Sequence, residues 1–267
     1  MIINPYLVQP SAPSYGTLTT AWIAETGETD LTILGALNTL ESDMATYGLT
    51  SKMKALYPFV GGTAAKHKFN FMDARDLDAA FRLTFNGGWT HSSTGALPNG
   101  TNAYADTYLN PVTNLTNSSN HLSYYSRTAT VGITIEMGNI NSASSLIFHL
   151  RPAVNYFSGA TFTGANPLNF TSTSNSNGFW MGSKRSNTDR AIFKNGINEA
   201  TNTVNDATVF NSWSIYLGAS NLQTNTPYFY SSKECAFSTI GDGLTNAEAA
   251  NFYTAVQAFQ TTLSRNV

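Results

Sequence analysis

The sequence of this 267-residue chain predicts an all-β fold, an antiparallel two-sheet jelly-roll sandwich with additional segments at both ends. The first reason is that short apolar segments with alternating polar residues recur along the chain, which is the period-two pattern of half-buried strands. The second is that polar turn sequences separate at least nine such segments, as is typical of a sandwich. The third is that the strand–helix–strand spacing of a parallel sheet is missing.

Composition supports a folded domain and excludes some partners. Hydrophobic residues make up 42% of the chain, enough for a core, whereas charged residues make up only 11%, against roughly 25% in average domains. The net charge is −2, and no basic stripe of the kind that binds nucleic acid is present in the sequence, so we expect no nucleic-acid partner. Neither a membrane span nor a secretory signal is apparent, so we expect no membrane association. The single cysteine, Cys235, lies in an apolar run and is expected to be buried and unreactive.

Residues 1–28 are predicted to form an extended docking arm. Pro5, Pro10 and Pro13 disfavour a helix because proline fixes φ and lacks a backbone N–H donor. Apolar side chains near the start of the arm are the candidate contacts to a partner: Ile2, Ile3, Tyr6, Leu7 and Val8.

Residues 29–56 are predicted to be a helical connector. Thr29 or Asp30 can cap a helix that ends near Gly48, a suitable residue after a C-terminal cap. Apolar residues three and four positions apart form one stripe on it: Leu34, Leu37, Leu40, Met44 and Tyr47. This stripe either packs on the chain's own sheet or forms a helix–helix seam in an oligomer. The residues TSKMKAL, 50–56, are expected to add a short second helix.

Residues 57–267 are predicted to form the jelly roll, including a C-terminal amphipathic helix over 245–264. Turns are expected at Gly61-Gly62, Pro98-Asn99-Gly100 and Asn195-Gly196, the last being a strong signal for a tight hairpin. Among the expected strands, one alternates through Phe81, Leu83 and Phe85, and another through Val131, Ile133, Ile135 and Met137. Thr245 and Glu248 have the spacing of a capping box at the start of the C-terminal helix.

One acidic cluster could bind a cation. Asp73, Asp76 and Asp78, together with Asn70, offer the hard oxygen ligands that calcium prefers, although the spacing of a calcium loop is absent. The alternative is that Asp76 caps a turn and pairs with an arginine, Arg75 or Arg82. The four histidines are scattered without metal-ligand spacing, so we expect neither a metal centre nor a cofactor.

The carboxylates do not suggest catalysis. Glycoside hydrolysis needs two carboxyl groups about 5–9.5 Å apart, and no two glutamates have a suitable spacing on one strand. Glu136 is alone on the polar side of its expected strand. The sequence therefore predicts no catalytic residue and no enzyme, and a glycan hydrolase that uses Asp76 or Glu136 is the weakest alternative.

Aromatic residues near polar turns could instead bind a sugar. The candidates are Trp89, Tyr104, Tyr124 and Tyr125, with Tyr108 in a similar setting. Aromatic rings stack on the C–H faces of sugars, and nearby Asn and Asp side chains can bind the hydroxyl groups. The alternative is that these rings belong to the sandwich core.

Four segments resemble a known family: residues 57–107 (beginning YPFVGGTAAKHKFNF), HLSYYSR at 121–127, YLGASN at 216–221, and residues 235–263 (beginning CAFSTIGDGLTNAEAANF). Together they resemble the concanavalin A-like, or laminin G-like, jelly-roll module of virion proteins from tailed phages, especially phages of Bacteroidetes, the crAss-like group included. The resemblance covers about residues 31–267.

The resemblance implies a non-enzymatic virion structural protein, such as a head fibre or capsid decoration, assembled in the host cytoplasm. Its expected partners are other virion proteins, contacted through the N-terminal arm, and further copies of itself. The alternative that the family's name suggests is a receptor or adhesion module of a tail or fibre that binds host or mucosal glycans. The metal ligands of plant legume lectins match no segment here.

Overall fold

The computed structural model of the chain describes residues 14–129, 134–141, 145–149, 155–158, 168–170, 176–207, 209–223 and 225–267. Ten residues on which predictions were based lie outside this part: Ile2, Ile3, Pro5, Tyr6, Leu7, Val8, Pro10, Pro13, Val131 and Ile133. The described helices are α1 (Thr17–Thr26), α2 (Leu31–Thr46), α3 (Ala64–His67), α4 (Pro111–Asn114) and α5 (Asn246–Thr262). Across the described residues, no helix combines the length and the apolar character needed to cross a membrane.

The described strands form two sheets. They are β1 (Met53–Tyr57), β2 (Thr84–Asn86), β3 (Trp89–Ser92), β4 (Gly95–Pro98), β5 (Tyr104–Asp106), β6 (Asn120–Ser126), β7 (Met137–Ile140), β8 (Ser145–His149), β9 (Asn155–Ser158), β10 (Leu168–Phe170), β11 (Gly178–Ser186), β12 (Asp189–Lys194), β13 (Ile197–Asn202), β14 (Tyr216–Leu217), β15 (Ser220–Leu222), β16 (Thr226–Tyr228) and β17 (Cys235–Gly241).

The eight-stranded sheet has the order β13-β12-β11-β6-β17-β4-β3, with β1 also paired to β17. The nine-stranded sheet has the order β10-β9-β8-β7-β14-β5-β2, with β15 paired to β7 and β16 to β15. The described strand pairs are antiparallel except β15 with β7. The predicted all-β sandwich of two sheets is confirmed.

The layers are arranged as helices, eight-stranded sheet and nine-stranded sheet. One apolar cluster lies between the two sheets and includes Tyr124, Trp180 and Ile192 from one sheet and Ala105 and Leu217 from the other. A second cluster lies on the opposite face of the eight-stranded sheet, where α1, α2 and α5 pack. Tyr125, Phe179 and Phe193 belong to this cluster, because each is adjacent along its strand to a residue of the first cluster and so points to the other face. The eight-stranded sheet is therefore buried on both faces, whereas these helices leave the outer face of the nine-stranded sheet uncovered.

The predicted extended arm over 1–28 is wrong for its second half, because α1 is helical from Thr17 to Thr26. The helix starts after the last proline of the arm, Pro13, and its first turn is held by a carboxylate of α2. The backbone N–H of Leu18 donates to Glu41 Oε1, and that of Thr19 donates to Glu41 Oε2, both with N···O distances of 2.9 Å. Carboxylates stabilise helix N-termini in this way. Trp22 is fully buried and so anchors the helix.

Replacing Glu41 with alanine is expected to loosen α1 by roughly 2 kcal/mol, because hydrogen bonds to a charged group are lost. Hydrogen exchange of the α1 amides should accelerate, while exchange in α5 should stay unchanged. Glu25→Ala, which removes an exposed carboxylate from α1 itself, is the control. Equal exchange in the Glu41 variant and the wild type would show that α1 does not depend on this contact.

The helical connector is confirmed only in its first part. Asp30 Oδ1 accepts from the backbone N–H groups of Thr32 and Ile33, and Gly48 has the left-handed φ of +68° expected after a helix end. The apolar stripe of α2 packs in the chain's own core. Of the two alternatives for this stripe, packing on the chain's own sheet is therefore the observed one.

The expected second helix over 50–56 is wrong. Only Thr50–Lys52 makes a single tight helical turn, and Met53–Tyr57 is strand β1, paired with β17. Pro58 disfavours helix in the preceding residue, and the edge of β17 offers hydrogen bonds to an extended chain. The sheet therefore begins at Met53 rather than at residue 57.

Other local predictions are confirmed or shortened. The Asn195-Gly196 turn joins β12 to β13 with φ values of +50° and +76°, and Thr245 and Glu248 form the predicted capping box of α5. The strand expected through Phe81 and Phe85 begins only at Thr84. Its first part is excluded because Phe81 has a φ of +59° at the end of a tight helical turn.

Candidate functional site

Three neighbouring strands place a polar, aromatic surface on the open side of the nine-stranded sheet. In β5, Ala105 is buried in the core, so Tyr104 and Asp106 on either side of it point outward. Asp106 is paired with Thr84 of β2 and with Tyr216 of β14, and paired residues share a face. We call the surface formed by Thr84, Tyr104, Asp106, Tyr108 and Tyr216 the tyrosine face.

Two aromatic rings form the floor of the tyrosine face. The rings of Tyr104 and Tyr216 are stacked, with centroids 4.7 Å apart and planes inclined by 26°. Tyr216 is 2% exposed, whereas Tyr104 is partly exposed. The outer ring of Tyr104 therefore stacks on a buried ring, which restricts its rotamers before a ligand binds and lowers the conformational cost of binding.

Hydrogen bonds fix the positions of the two polar groups beside these rings. Tyr108 has a φ of +56°, a left-handed conformation that is rare for a bulky residue. Its backbone N–H donates to Asp106 Oδ1 (2.8 Å), and its Oη donates to Thr84 Oγ1 (2.9 Å). The phenol and the carboxylate are thus prepositioned on one surface.

The electrostatic field on the tyrosine face disfavours negative charge. Burial raises the pKa of Asp106, and the negative charge of Asp78 raises it further, while hydrogen bonds from Tyr108 and Ser214 oppose the shift. Burial and the Asp106 carboxylate also raise the pKa values of Tyr104 and Tyr216. Both phenols therefore stay protonated near neutral pH and can donate hydrogen bonds.

The acidic cluster that was considered for calcium is occupied by ion pairs. Asp73 binds Arg75 (Nε···Oδ1 2.8 Å), Asp76 binds both Lys68 and Arg82, and Asp78 binds Arg82 (Nη2···Oδ1 2.8 Å). The alternative that Asp76 pairs with an arginine is therefore the observed one, with Arg82.

Asn70 takes no part in a cation site either. Its amide is used inside the protein, where Oδ1 accepts from the backbone N–H of Leu56 and Nδ2 donates to the carbonyl of Ala80. Within the described residues, no group of three or more His, Cys, Asp or Glu side chains could hold a metal ion.

Of the four predicted sugar-binding aromatics, only Tyr104 lies on the open face. Tyr124 and Tyr125 are fully buried in β6, because this strand is central in the sheet that is covered on both sides. Trp89 is partly buried, and its Nε1 donates to the carbonyls of Asn86 (3.1 Å) and Tyr104 (3.2 Å). Its indole therefore ties β2 to β5 instead of offering a free ring.

The prediction that Glu136 lies on the polar face of a strand is wrong. Glu136 is fully buried and lies just before β7. It forms an ion pair with Lys233, also fully buried, with an Nζ···Oε1 distance of 2.9 Å. The hydroxyls of Thr134 and Ser231 donate to the same oxygen. A fully buried carboxylate whose charge is balanced by a lysine is typical of a structural ion pair.

Two histidines that are distant along the sequence, His67 and His91, are in contact in the structure. His67 Nδ1 and His91 Nδ1 are 2.9 Å apart, and His67 is fully buried. Burial lowers the pKa of His67 to about 3, and His91 and Arg265 contribute in the same direction. The neutral pair is part of the packing. Cys235 is buried with a raised pKa, as expected of an inert thiol.

A cavity of about 470 Å³ lies between the start of α2 and the Gly61-Gly62 turn. Its buried carboxylate, Glu28, accepts from Lys66 Nζ (2.9 Å) and from the backbone N–H groups of Thr29 and Asp30. Because these bonds satisfy Glu28 internally, the cavity is a weaker candidate than the tyrosine face.

No protein-family model matches the sequence, and no curated protein matches it. Solved structures do match the fold. One belongs to botulinum neurotoxin type C, whose cell entry depends on interaction with two ganglioside molecules (TM-score 0.54, 11% identity, 80% of this chain and 53% of that one). The similarity agrees with the two-sheet β-sandwich described above.

Two further matches come from the binding domain of botulinum neurotoxin DC. The complex with SialylT has a TM-score of 0.51 at 13% identity, and the complex with rat synaptotagmin II has a TM-score of 0.50 at 11% identity. Each alignment covers 78% of this chain and 52% of the other. The chain therefore spans about half the length of these structures, and at such identities the similarity concerns the fold alone.

Proposed function

We propose that this chain is a glycan-binding module and that the tyrosine face is its binding site. The observation that carries the proposal is the combination of a supported, partly exposed Tyr104 ring with the hydrogen-bonded Asp106 carboxylate. A pyranose ring presents a C–H face that stacks on an aromatic ring and hydroxyl groups that bind a carboxylate. The described helices α1, α2 and α5 pack on the other sheet, and among the described residues Tyr104 and Asp106 are partly exposed on this face.

The fold comparisons support this function over the structural virion role. The matched neurotoxin structures concern a ganglioside-dependent toxin and a complex with SialylT. The virion location, the partner proteins of a phage particle and a homo-oligomeric state stay predictions that rest on the sequence resemblance. The absence of enzymatic activity likewise stays a prediction.

The test is a glycan array probed with the purified protein, displayed multivalently so that weak sites are detected. Binding to oligosaccharides is expected, and Tyr104→Ala should weaken it by at least about tenfold, equivalent to about 1.4 kcal/mol. Tyr104→Phe keeps the ring and should retain most of the binding.

Tyr47→Ala, on the helical side of the molecule, is the matched control and should bind as the wild type does. Thermal unfolding of each variant checks that it is folded. An array without hits, or full binding by a folded Tyr104→Ala variant, would contradict the proposal.

A further inference from the structure

The tyrosine face carries an anionic group outside any described ion pair, whereas the cation beside it is already in ion pairs. Asp106 carries a carboxylate on the face. It accepts a hydrogen bond from the backbone N–H of Tyr108, and none of the ion pairs among the described residues includes it. The nearby Arg82 binds Asp76 (Nη1···Oδ1 3.2 Å) and Asp78 (Nη2···Oδ1 2.8 Å) at the same time. The adjacent cation is thus already neutralised.

The neighbouring ion-pair cluster adds no positive charge. Lys68 and Arg82 are balanced by Asp76 and Asp78, so the cluster is formally neutral. Asp106 then leaves the combined surface with a formal charge of −1 when it is ionised. A ligand carboxylate placed here would lose hydration and meet a like charge, without a free cation among the groups just named.

The same arrangement suits hydroxyl groups. An ionised carboxylate accepts hydrogen bonds at about four lone-pair positions, and the backbone N–H of Tyr108 uses one of them. The remaining positions can accept from two hydroxyls of one sugar ring. Bonds between a hydroxyl and a charged acceptor are stronger than neutral ones.

From this charge distribution we infer that the tyrosine face selects uncharged pyranose sugars and rejects sialylated or otherwise anionic glycans, with Asp106 as the selecting residue. The inference rests on the proposed function and adds the chemical class of the ligand. It also predicts that this chain differs in ligand charge from a domain that binds a sialylated glycan, although the sandwich fold is shared.

The experiment compares lactose with 3′-sialyllactose, both immobilised, for the wild type and two variants. The wild type should bind the neutral sugar at least about tenfold more tightly, a difference of about 1.4 kcal/mol. Asp106→Asn keeps the shape and removes the charge, so the preference should fall below about threefold. Asp43→Asn, an aspartate of α2 on the helical side, should keep the full preference.

A measurement on the wild type alone covers the case in which Asp106→Asn does not fold. Raising the salt concentration from about 50 mM to about 500 mM shortens the screening length, so the neutral-over-anionic preference should narrow. A preference that does not respond to salt would contradict the role of charge.

The outcomes separate the two proposals. If neither sugar binds and the wider array is also empty, glycan binding itself is wrong. If both bind with Tyr104-dependent affinity and the sialylated sugar is preferred, glycan binding stands and the selection by Asp106 is wrong. An unchanged preference in folded Asp106→Asn also overturns the selection.

Discussion

Replacing Glu136 with alanine is expected to destabilise the protein by about 3–5 kcal/mol, the usual cost of removing one partner of a buried ion pair. Glu136 and Lys233 are both fully buried, 2.9 Å apart. Without the carboxylate, the Lys233 ammonium keeps the Thr134 hydroxyl as a contact but has lost its counter-charge. Chemical denaturation would give the change in the free energy of unfolding.

A double variant tests whether the cost comes from the orphaned charge. Glu136→Leu combined with Lys233→Met removes both charges, and such replacements are often neutral or stabilising by about 1–4 kcal/mol. We therefore expect the double variant to be more stable than Glu136→Ala. Asp73→Ala, which breaks the exposed pair with Arg75, is the control and should cost at most about 1 kcal/mol. Equal losses for Glu136→Ala and Asp73→Ala would contradict the argument.

The sequence predicts an element well where a few adjacent residues contain the whole signal. The Asn195-Gly196 hairpin, the Asp30 cap and the Thr245 capping box are of this kind. In each case the side chain or backbone that determines the geometry lies within four residues of its partner, so no tertiary knowledge is required.

The predictions that are wrong involve partners that are distant along the chain. Helix α1 depends on Glu41, 22 residues beyond Thr19, and the buried Glu136 depends on Lys233, 97 residues away. No local pattern pairs such residues. The extended β1 likewise depends on β17 for its hydrogen bonds.

The candidate site divides in the same way. The alternation of Tyr104 and Asp106 around Ala105 is visible in the sequence, but Tyr216 joins them only when β14 pairs with β5. The opposite error at Tyr124 and Tyr125 had little local signal. The segment HLSY, residues 121–124, alternates polar and apolar residues, as a half-buried strand does. The burial of both tyrosines depends on the two layers that pack against β6, which are distant along the chain.

Acid is expected to destabilise the protein between pH 6.5 and about 4 through two buried histidines. Burial lowers the pKa of His121 to about 4 and that of His67 to about 3, whereas an unfolded histidine titrates near 6.5. Between pH 6.5 and 4, the unfolded chain therefore binds protons on these histidines that the folded chain does not bind. Stability is complete above pH 6.5 and falls by about 1.4 kcal/mol per pH unit for each histidine, about 3 kcal/mol each by pH 4.

The contribution of His121 can be isolated because its hydrogen bonds define its neutral form. Nδ1–H donates to the Asp242 carbonyl (2.6 Å), and Nε2 accepts from the Thr239 hydroxyl (2.9 Å). Glutamine can make both kinds of bond without titrating. In His121→Gln, the slope of unfolding free energy against pH between 6.5 and 4.5 should fall by about 1.4 kcal/mol per unit, one proton's worth.

Ser123→Ala serves as the control, since Ser123 bonds Thr239 in the same network but carries no titratable group. It should lower stability at every pH by a similar amount and leave the slope intact. Carboxylates with lowered pKa values, such as Glu28 and Glu248, add their own losses mainly below pH 5. A slope in His121→Gln equal to that of the wild type would mean that His121 takes up its proton in the folded protein as readily as in the unfolded chain.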